Sequence, residues 1–341
     1  MKVAAIYRLI QSMVTSALLV VLAALIAPAV AQPQAPSTGA SQGFPSRPME
    51  IVVHTSAGGG TDILARVVSD ILTRNKWITQ PITVSNRTGG GGAIAYTYIK
   101  NKRGDPHAVM AVASLTLLTV GLRPDLQLGP EHYTPIAFLA QDPQAVMVSV
   151  DAPYKTFKEF IDAAKRDPGA LTASITSPGG SGQLLVWLIE RETGAKFKTV
   201  SFKGGSEAIM QVMGGHTHFT TENISEAVSA VEAKKLRVLA VSSGQRLSVV
   251  PDVPTLKELG YNIHMGTGRG FAMAAGVPKE AAAHFEAQLE KVYNSPAWKE
   301  HTAKHLWENM WMGSTEYAKH LAYRRTQQLA FMQSIGLAPK P

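Results

Sequence analysis

The sequence predicts an α/β protein whose strands feed helices through glycine-rich loops, gathered into two lobes. Three observations carry this reading. A strand, glycine loop and helix recur in that order four times, at residues 51–72, 82–99, 171–192 and 199–213. Alternating β and α units imply parallel sheets covered by helices on both faces. Two of the loops fall in the first half of the chain and two in the middle, and about 310 residues exceed the size of one typical core.

The elements follow in chain order. Lys2 and Arg8 flank the start of a long apolar run, unbroken over 18–26, and Ala29-Val30-Ala31 follows as a small-x-small cleavage site. Residues 1–31 therefore read as a signal peptide cleaved near Ala31, and the mature chain as a secreted, periplasmic one. Residues 32–45, rich in Pro, Ser, Gly and Gln, read as a flexible leader. Ile51-Val52-Val53 has the β-branched composition of a buried strand. His54-Thr55-Ser56-Ala57-Gly58-Gly59-Gly60 then leads into a stripe of Ile63, Leu64, Val67, Val68, Ile71 and Leu72 at helical spacing. Thr61 or Asp62 can cap that helix.

The second unit runs from Ile82-Thr83-Val84-Ser85 through Asn86-Arg87-Thr88 and four glycines to a helix at 93–99. Strands are expected at 109–113, ending in Ser114, and at 133–140 and 145–150. Thr156 opens a helix that Asp167-Pro168-Gly169 stops. The strand 171–176 meets Ser177-Pro178-Gly179-Gly180-Ser181-Gly182, and a helix runs to Gly194. The strand 199–202 meets Lys203-Gly204-Gly205, followed by a helix to Gly214. Strands follow at 216–221 and 236–241, and a short helix at Val253-Pro254-Thr255 before Gly260. After a strand at 271–275 the pattern is helical to the end, in two or three helices.

Composition removes several classes. With no cysteine, the chain has no disulfide, no thiolate nucleophile and no cysteine zinc site. Removing Lys2 and Arg8 lowers the formal net charge of +8 by two, to a mildly basic value. The basic residues are scattered without an aromatic stripe, so nucleic acid is not an expected partner. No cofactor is expected, because the dinucleotide pattern G-x-G-x-x-G is absent. Gly179-Gly180-Ser181-Gly182-Gln183 and Gly204-Gly205-Ser206-Glu207-Ala208 both miss the nucleophile elbow at its last place. His216 and His218, with Glu222 nearby, are a weak metal pattern, and His301 with His305 lacks the glutamate of a zinc protease.

A glycine loop entering a helix points free N–H groups and the positive end of a dipole at one spot. In open α/β sheets that spot lies beyond the carboxyl ends of the strands. Loops from two lobes facing one cleft would bind a small anion better than any single loop.

The segments Ala57-Gly58-Gly59-Gly60-Thr61-Asp62-Ile63-Leu64-Ala65-Arg66, Asn86-Arg87-Thr88-Gly89-Gly90-Gly91-Gly92, Val253-Pro254-Thr255-Leu256-Lys257-Glu258-Leu259-Gly260 and Arg269-Gly270 resemble the receptors of tripartite tricarboxylate transporters, often called TctC or Bug proteins. The match in order and spacing runs from about Pro48 to the C-terminus. The resemblance implies a periplasmic-binding-protein type II fold, with two lobes, a central cleft and a two-crossing hinge. It implies a small carboxylate ligand held partly by backbone N–H groups, and the transporter's membrane permease as partner. The chain departs from the family at His54-Thr55-Ser56, where a Pro and an aromatic are usual. Lobe 1 is expected over 46–142 and 267–341 and lobe 2 over 143–266, in a monomer.

The expected ligand contacts are Thr55, Ser56, Ala57, Gly58, Gly59 and Thr61 in the first loop, with His54 at the strand end as a donor to a carboxylate or as a buried structural histidine. Ser114, Ser177 and Ser181 follow strands, where a hydroxyl can reach the cleft or cap a helix. Gly204 and Gly205 offer backbone donors, and Glu222 and Asn223 can line the cleft. Arg269 can pair bidentately with a carboxylate or form a salt bridge within the protein. The expected function is capture of a small carboxylate for transport, without catalysis. The alternatives are a periplasmic sensor subunit and, less well supported, a secreted hydrolase.

Overall fold

The computed structural model describes residues 43–338 apart from Ser177 and Lys203. The signal peptide and residues 32–42 of the leader lie outside the described residues. In chain order the elements are β1 (Met49–Val53), α1 (Gly60–Arg74), β2 (Ile82–Asn86), α2 (Ala93–Lys100), β3 (Ala108–Ala113), α3 (Ser114–Gly121), β4 (Tyr133–Pro143), β5 (Ala145–Ser149) and α4 (Phe157–Arg166). There follow β6 (Thr172–Ile175), α5 (Ser181–Thr193), β7 (Lys198–Ser201), α6 (Gly205–Met213), β8 (Phe219–Thr220), α7 (Val228–Glu232), β9 (Leu236–Val241), β10 (Gly266–Ala274), α8 (Lys279–Asn294), α9 (Pro296–Lys304), β11 (Glu308–Gly313) and α10 (Ser314–Ser334).

The fold is α/β in two lobes, each built on its own sheet. One sheet has the order β11-β4-β10-β3-β1-β2 and the other β7-β6-β8-β5-β9. The four glycine-loop units supply the parallel pairs β1–β2 and β6–β7. The sheets are mixed rather than parallel, which corrects the expectation from alternation alone. Strands β4 and β10 run antiparallel to each other, and β5 runs antiparallel to β8 and β9. The reason is connectivity: β4 ends at Pro143 in the first sheet and β5 starts at Ala145 in the second, so the chain crosses between lobes on extended strands.

The core follows from composition. Ile51, Val52 and Val53 are fully buried, as are Leu64, Val68 and Leu72 of the α1 stripe. In the other lobe Phe160, Phe197 and Phe219 pack together, with centroids 4.9–5.4 Å apart. Thr156 caps α4 by accepting the Glu159 N–H at 3.2 Å. Helix α10 packs on β4 and reaches the other lobe, where Phe331 meets Trp187 of α5 at 5.7 Å.

Three local expectations are corrected. The segment 253–260 is a turn, closed by Thr255 N–H to Glu258 Oε2 at 2.7 Å and Glu258 N–H to Thr255 Oγ1 at 3.0 Å. This is the reciprocal pattern of a capping box without the helix behind it. The strand expected at 216–221 shortens to Phe219–Thr220. Strand β11, Glu-Asn-Met-Trp-Met-Gly, interrupts the expected helical tail and pairs with β4. It carries no β-branched residue, so propensity did not announce it.

Candidate functional site

The site is built where β1 and β3 end, where antiparallel β10 starts, and where α1, α5 and α6 begin. Helix α1 starts at Gly60, with Gly59 as N-cap and no side-chain cap. Asp62, expected as a possible cap, sits in the first turn instead. Its carboxylate accepts the Gly58 N–H, Arg66 Nε and Asn86 Nδ2, each at 2.9 Å. Burial pushes this carboxyl up, but those bonds outweigh it and hold the group below the usual range. Asp62 thus ties the loop to β2. The Gly59 N–H goes to Ser56 O at 3.1 Å. Backbone donors of Gly58 and Gly59 are therefore used inside the loop, and the N–H groups from Gly60 onward are the ones without an intrahelical acceptor.

Arg269 of β10 lies directly against that helix end. A Cβ built on Gly60 would clash with the Arg269 guanidinium, so a larger residue here would displace that group. The Arg269 side chain is buried and is bound by the buried Asp142 carboxylate of β4. It also lies over the Trp307 ring at 5.2 Å. Asp142 takes a second bond from Ser225 Oγ at 3.0 Å. Burial pushes the Asp142 carboxyl up, against the pull of Arg269 and Ser225. Half-buried His54 has a pKa lowered to about 4, first by burial and then by the Arg269 charge, and its buried Nδ1 has no partner among the described residues. Its ring centroid is 5.8 Å from that of Tyr96.

The second lobe closes on the same place. Ser181 Oγ lies 3.3 Å from Thr267 Oγ1, which donates to Asn223 Oδ1 at 3.1 Å. Asn223 Nδ2 donates to Asp142 O at 2.7 Å. A Cβ on Gly182 would lie 3.4 Å from Glu222 Oε1, and one on Gly205 would lie 2.1 Å from Glu226 Oε2. The positive end of α6 is thus answered by the protein's own carboxylates. Glu226 is pushed up to about 7, first by burial, then by the charges of Glu222 and Asp142, against Arg269. Burial likewise raises Glu222.

Six of the fifteen residues singled out from sequence lie together here: His54, Ser181, Gly205, Glu222, Asn223 and Arg269. Ser114, the first residue of α3, is buried and bonds the Tyr317 hydroxyl at 2.9 Å, beside Gly268. Thr55 and Thr61 face each other at 3.4 Å, while Ser56, Ala57 and Gly58 are exposed. Gly204 has open space on its Cβ side. Ser177 lies outside the described residues. Sequence reasoning missed Asp142, Thr267 and Glu226; the one available signal was Glu226 standing four residues after Glu222. Of the weak metal pattern, His218 Nδ1 accepts the Thr172 N–H at 3.1 Å, and no cluster of three or more metal-ligating side chains occurs among the described residues.

Two α/β lobes with helix N-termini and an arginine at their junction define a solute-binding protein of the periplasmic two-lobed type. The chain belongs to the TctC family, the tripartite tricarboxylate transporter family receptor, which matches residues 64–337. That family consists of binding receptors, not enzymes. A UPF0065 protein encoded in the gbd 5' region of Cupriavidus necator is 30% identical over 304 residues, covering 89% of this chain and 92% of the relative. A TctC solute-binding protein from Polaromonas, solved without ligand, superposes with a TM-score of 0.70 at 29% identity, covering 86% of this chain and all of that one. R. palustris Rpa4515 with adipate superposes with a TM-score of 0.77 at 22% identity, covering 87% of this chain and all of that one. Among the described residues no helix is long and apolar enough to cross a membrane.

Proposed function

We propose that this protein captures a small carboxylate in the cleft between its lobes and delivers it, in the periplasm, to the permease subunits of a tripartite tricarboxylate transporter. The observation that carries the reading is the Arg269 guanidinium packed on Gly60 at the positive end of α1. A cation against a helix N-terminus is unfavourable by itself, and an anion bridging the two relieves it. Asp142 neutralises part of that field within the protein. Unprotonated His54 and the hydroxyls of Ser181 and Thr267 add neutral polar contacts. The adipate in Rpa4515 supports the ligand class. Lobe 1 comprises 46–142 and 267–341 and lobe 2 comprises 143–266, so the crossings fall at Asp142–Pro143 and near Gly266. Closing the lobes over the ligand gives the permease a shape to recognise.

The test has two parts. Mass spectrometry identifies ligand released from the purified mature protein. A thermal-shift panel of mono-, di- and tricarboxylates, aliphatic and aromatic, then measures stabilisation, expected at about 2.7 kcal/mol when ligand stands at one hundred times Kd. Silence across the whole panel defeats the reading, and turnover of any member favours the hydrolase.

A further inference from the structure

Helix α10 buries Tyr317, Leu321, Gln328, Phe331 and Met332 along one face. At 3.6 residues per turn, Arg324 falls at the centre of that stripe, two turns after Tyr317 and one turn before Gln328. Its two neighbours along the stripe show what that face of the helix meets. Tyr317 bonds Ser114 at the start of α3. Gln328 Nε2 donates to Thr119 Oγ1 of α3 at 2.9 Å and to Gly179 O of the other lobe at 2.8 Å. Arg324 is thus bracketed by α3 on one side and the Gly179 loop on the other, on the seam between the lobes. It is half-buried, and its guanidinium forms no hydrogen bond or ion pair among the described residues. Burial pushes its pKa down, opposed by Tyr323, and among the described residues no acid contributes; the Arg324 charge in turn lowers His320. Elsewhere in the cleft the comparable cation, Arg269, already has Asp142. A desolvated guanidinium without a counter-charge costs stability, and only a useful charge repays that cost.

We propose that Arg324 is the side-chain cation that takes a carboxylate of the bound ligand, beside the contact that Thr119 of α3 makes with Gly179 O at 3.1 Å. This rests on the carboxylate-binding reading above. Arg269 then shapes the cleft, and Arg324 supplies its uncompensated charge. A ligand with two carboxylates fits this division best, one end at the α1 N-terminus and one at Arg324.

The experiment uses the full mature chain with Arg324→Gln and Arg324→Lys, with adipate and succinate as probes in calorimetry and in thermal melts. Arg324→Gln is expected to weaken dicarboxylate binding by at least about tenfold. The melting temperature without ligand should hold or rise, because an unpaired charge has been removed. Arg324→Lys should recover part of the affinity. Unchanged affinity in Arg324→Gln overturns the proposal, and so does a lowered ligand-free melting temperature, which marks a structural arginine. If the wild type binds neither probe nor any carboxylate of the panel, the functional reading fails separately. The ligand-free melt then decides Arg324: a melting temperature that holds or rises keeps it as an uncompensated cation awaiting another anion, and a fall removes it.

Discussion

Arg269 on β10 is bound by Asp142 on β4, and both side chains are out of water. The pair joins the two strands that sit at the lobe crossing, and Asn223 from the other lobe grips the Asp142 carbonyl. Removing one partner leaves an uncompensated buried charge, at a cost of about 3–5 kcal/mol. Arg269→Met should therefore lose stability on that scale in urea unfolding. The double variant Asp142→Asn/Arg269→Met should lose clearly less. Equal losses would mean that the arginine acts through packing on Gly60 and Trp307 alone.

Gly58 and Gly59 should respond differently to added side chains. Gly58 has φ +82° with nothing within 4 Å of a built Cβ. Gly58→Ala should cost about 1–2 kcal/mol of backbone strain and leave affinity within a few-fold. Gly59 has φ −73°, so strain is not the issue, but its Cβ would meet Thr55 Cβ at 2.8 Å. Gly59→Val should displace the His54–Thr55 strand end and abolish ligand binding in a protein that still melts cooperatively. Near-normal affinity in Gly59→Val would reduce this loop to a connector.

Glu226 makes stability depend on pH with a definite sign. Its folded pKa is raised from 4.5 to about 7. Between those values the folded state holds a proton that the unfolded state has released. The contribution is therefore fully present below about pH 4.5 and is lost as pH rises through 7, by at most about 3 kcal/mol. Glu226→Gln mimics the protonated form. It should be more stable than wild type at pH 8 and nearly equal to it at pH 4.5, read from urea midpoints. A constant difference across that range would remove Glu226 as the titrating group.

The fold was legible because its signals are local. Ile51-Val52-Val53, the α1 stripe and the glycines between them each declare a conformation within a few residues, and all four units formed. The antiparallel strands were harder. β11 has neither alternation nor β-branching and exists because β4 offers it an edge. At the candidate site, Arg269 stood out as a possible bidentate partner for a carboxylate, and Glu222 as a residue following the strand pattern at 216–221. Asp142 did not, because its role depends on a partner 127 residues away. Arg324 was hidden for a different reason: a basic residue on a long helix reads as solvated until the buried phase of that helix is known.

His54 sits at the end of β1, within the field of Arg269. Its pKa is lowered to about 4, so folding favours the neutral ring. Stability from this group is present above the unfolded value of 6.5 and is lost as pH falls from there through 4. Phenylalanine cannot be protonated and would remove that loss, so His54→Phe should gain on wild type at pH 5 relative to pH 7.5. It would also remove a ring nitrogen that has no partner among the described residues. If that nitrogen meets the ligand, the substitution should change which carboxylate is preferred more than it changes overall affinity, because specificity is a difference between ligands. Calorimetric affinities for two carboxylates of different shape, on wild type and variant, give the ratio directly. An unchanged ratio with the pH gain intact would make His54 a buried structural histidine, and would move recognition to the α1 N-terminus and the cations beside it.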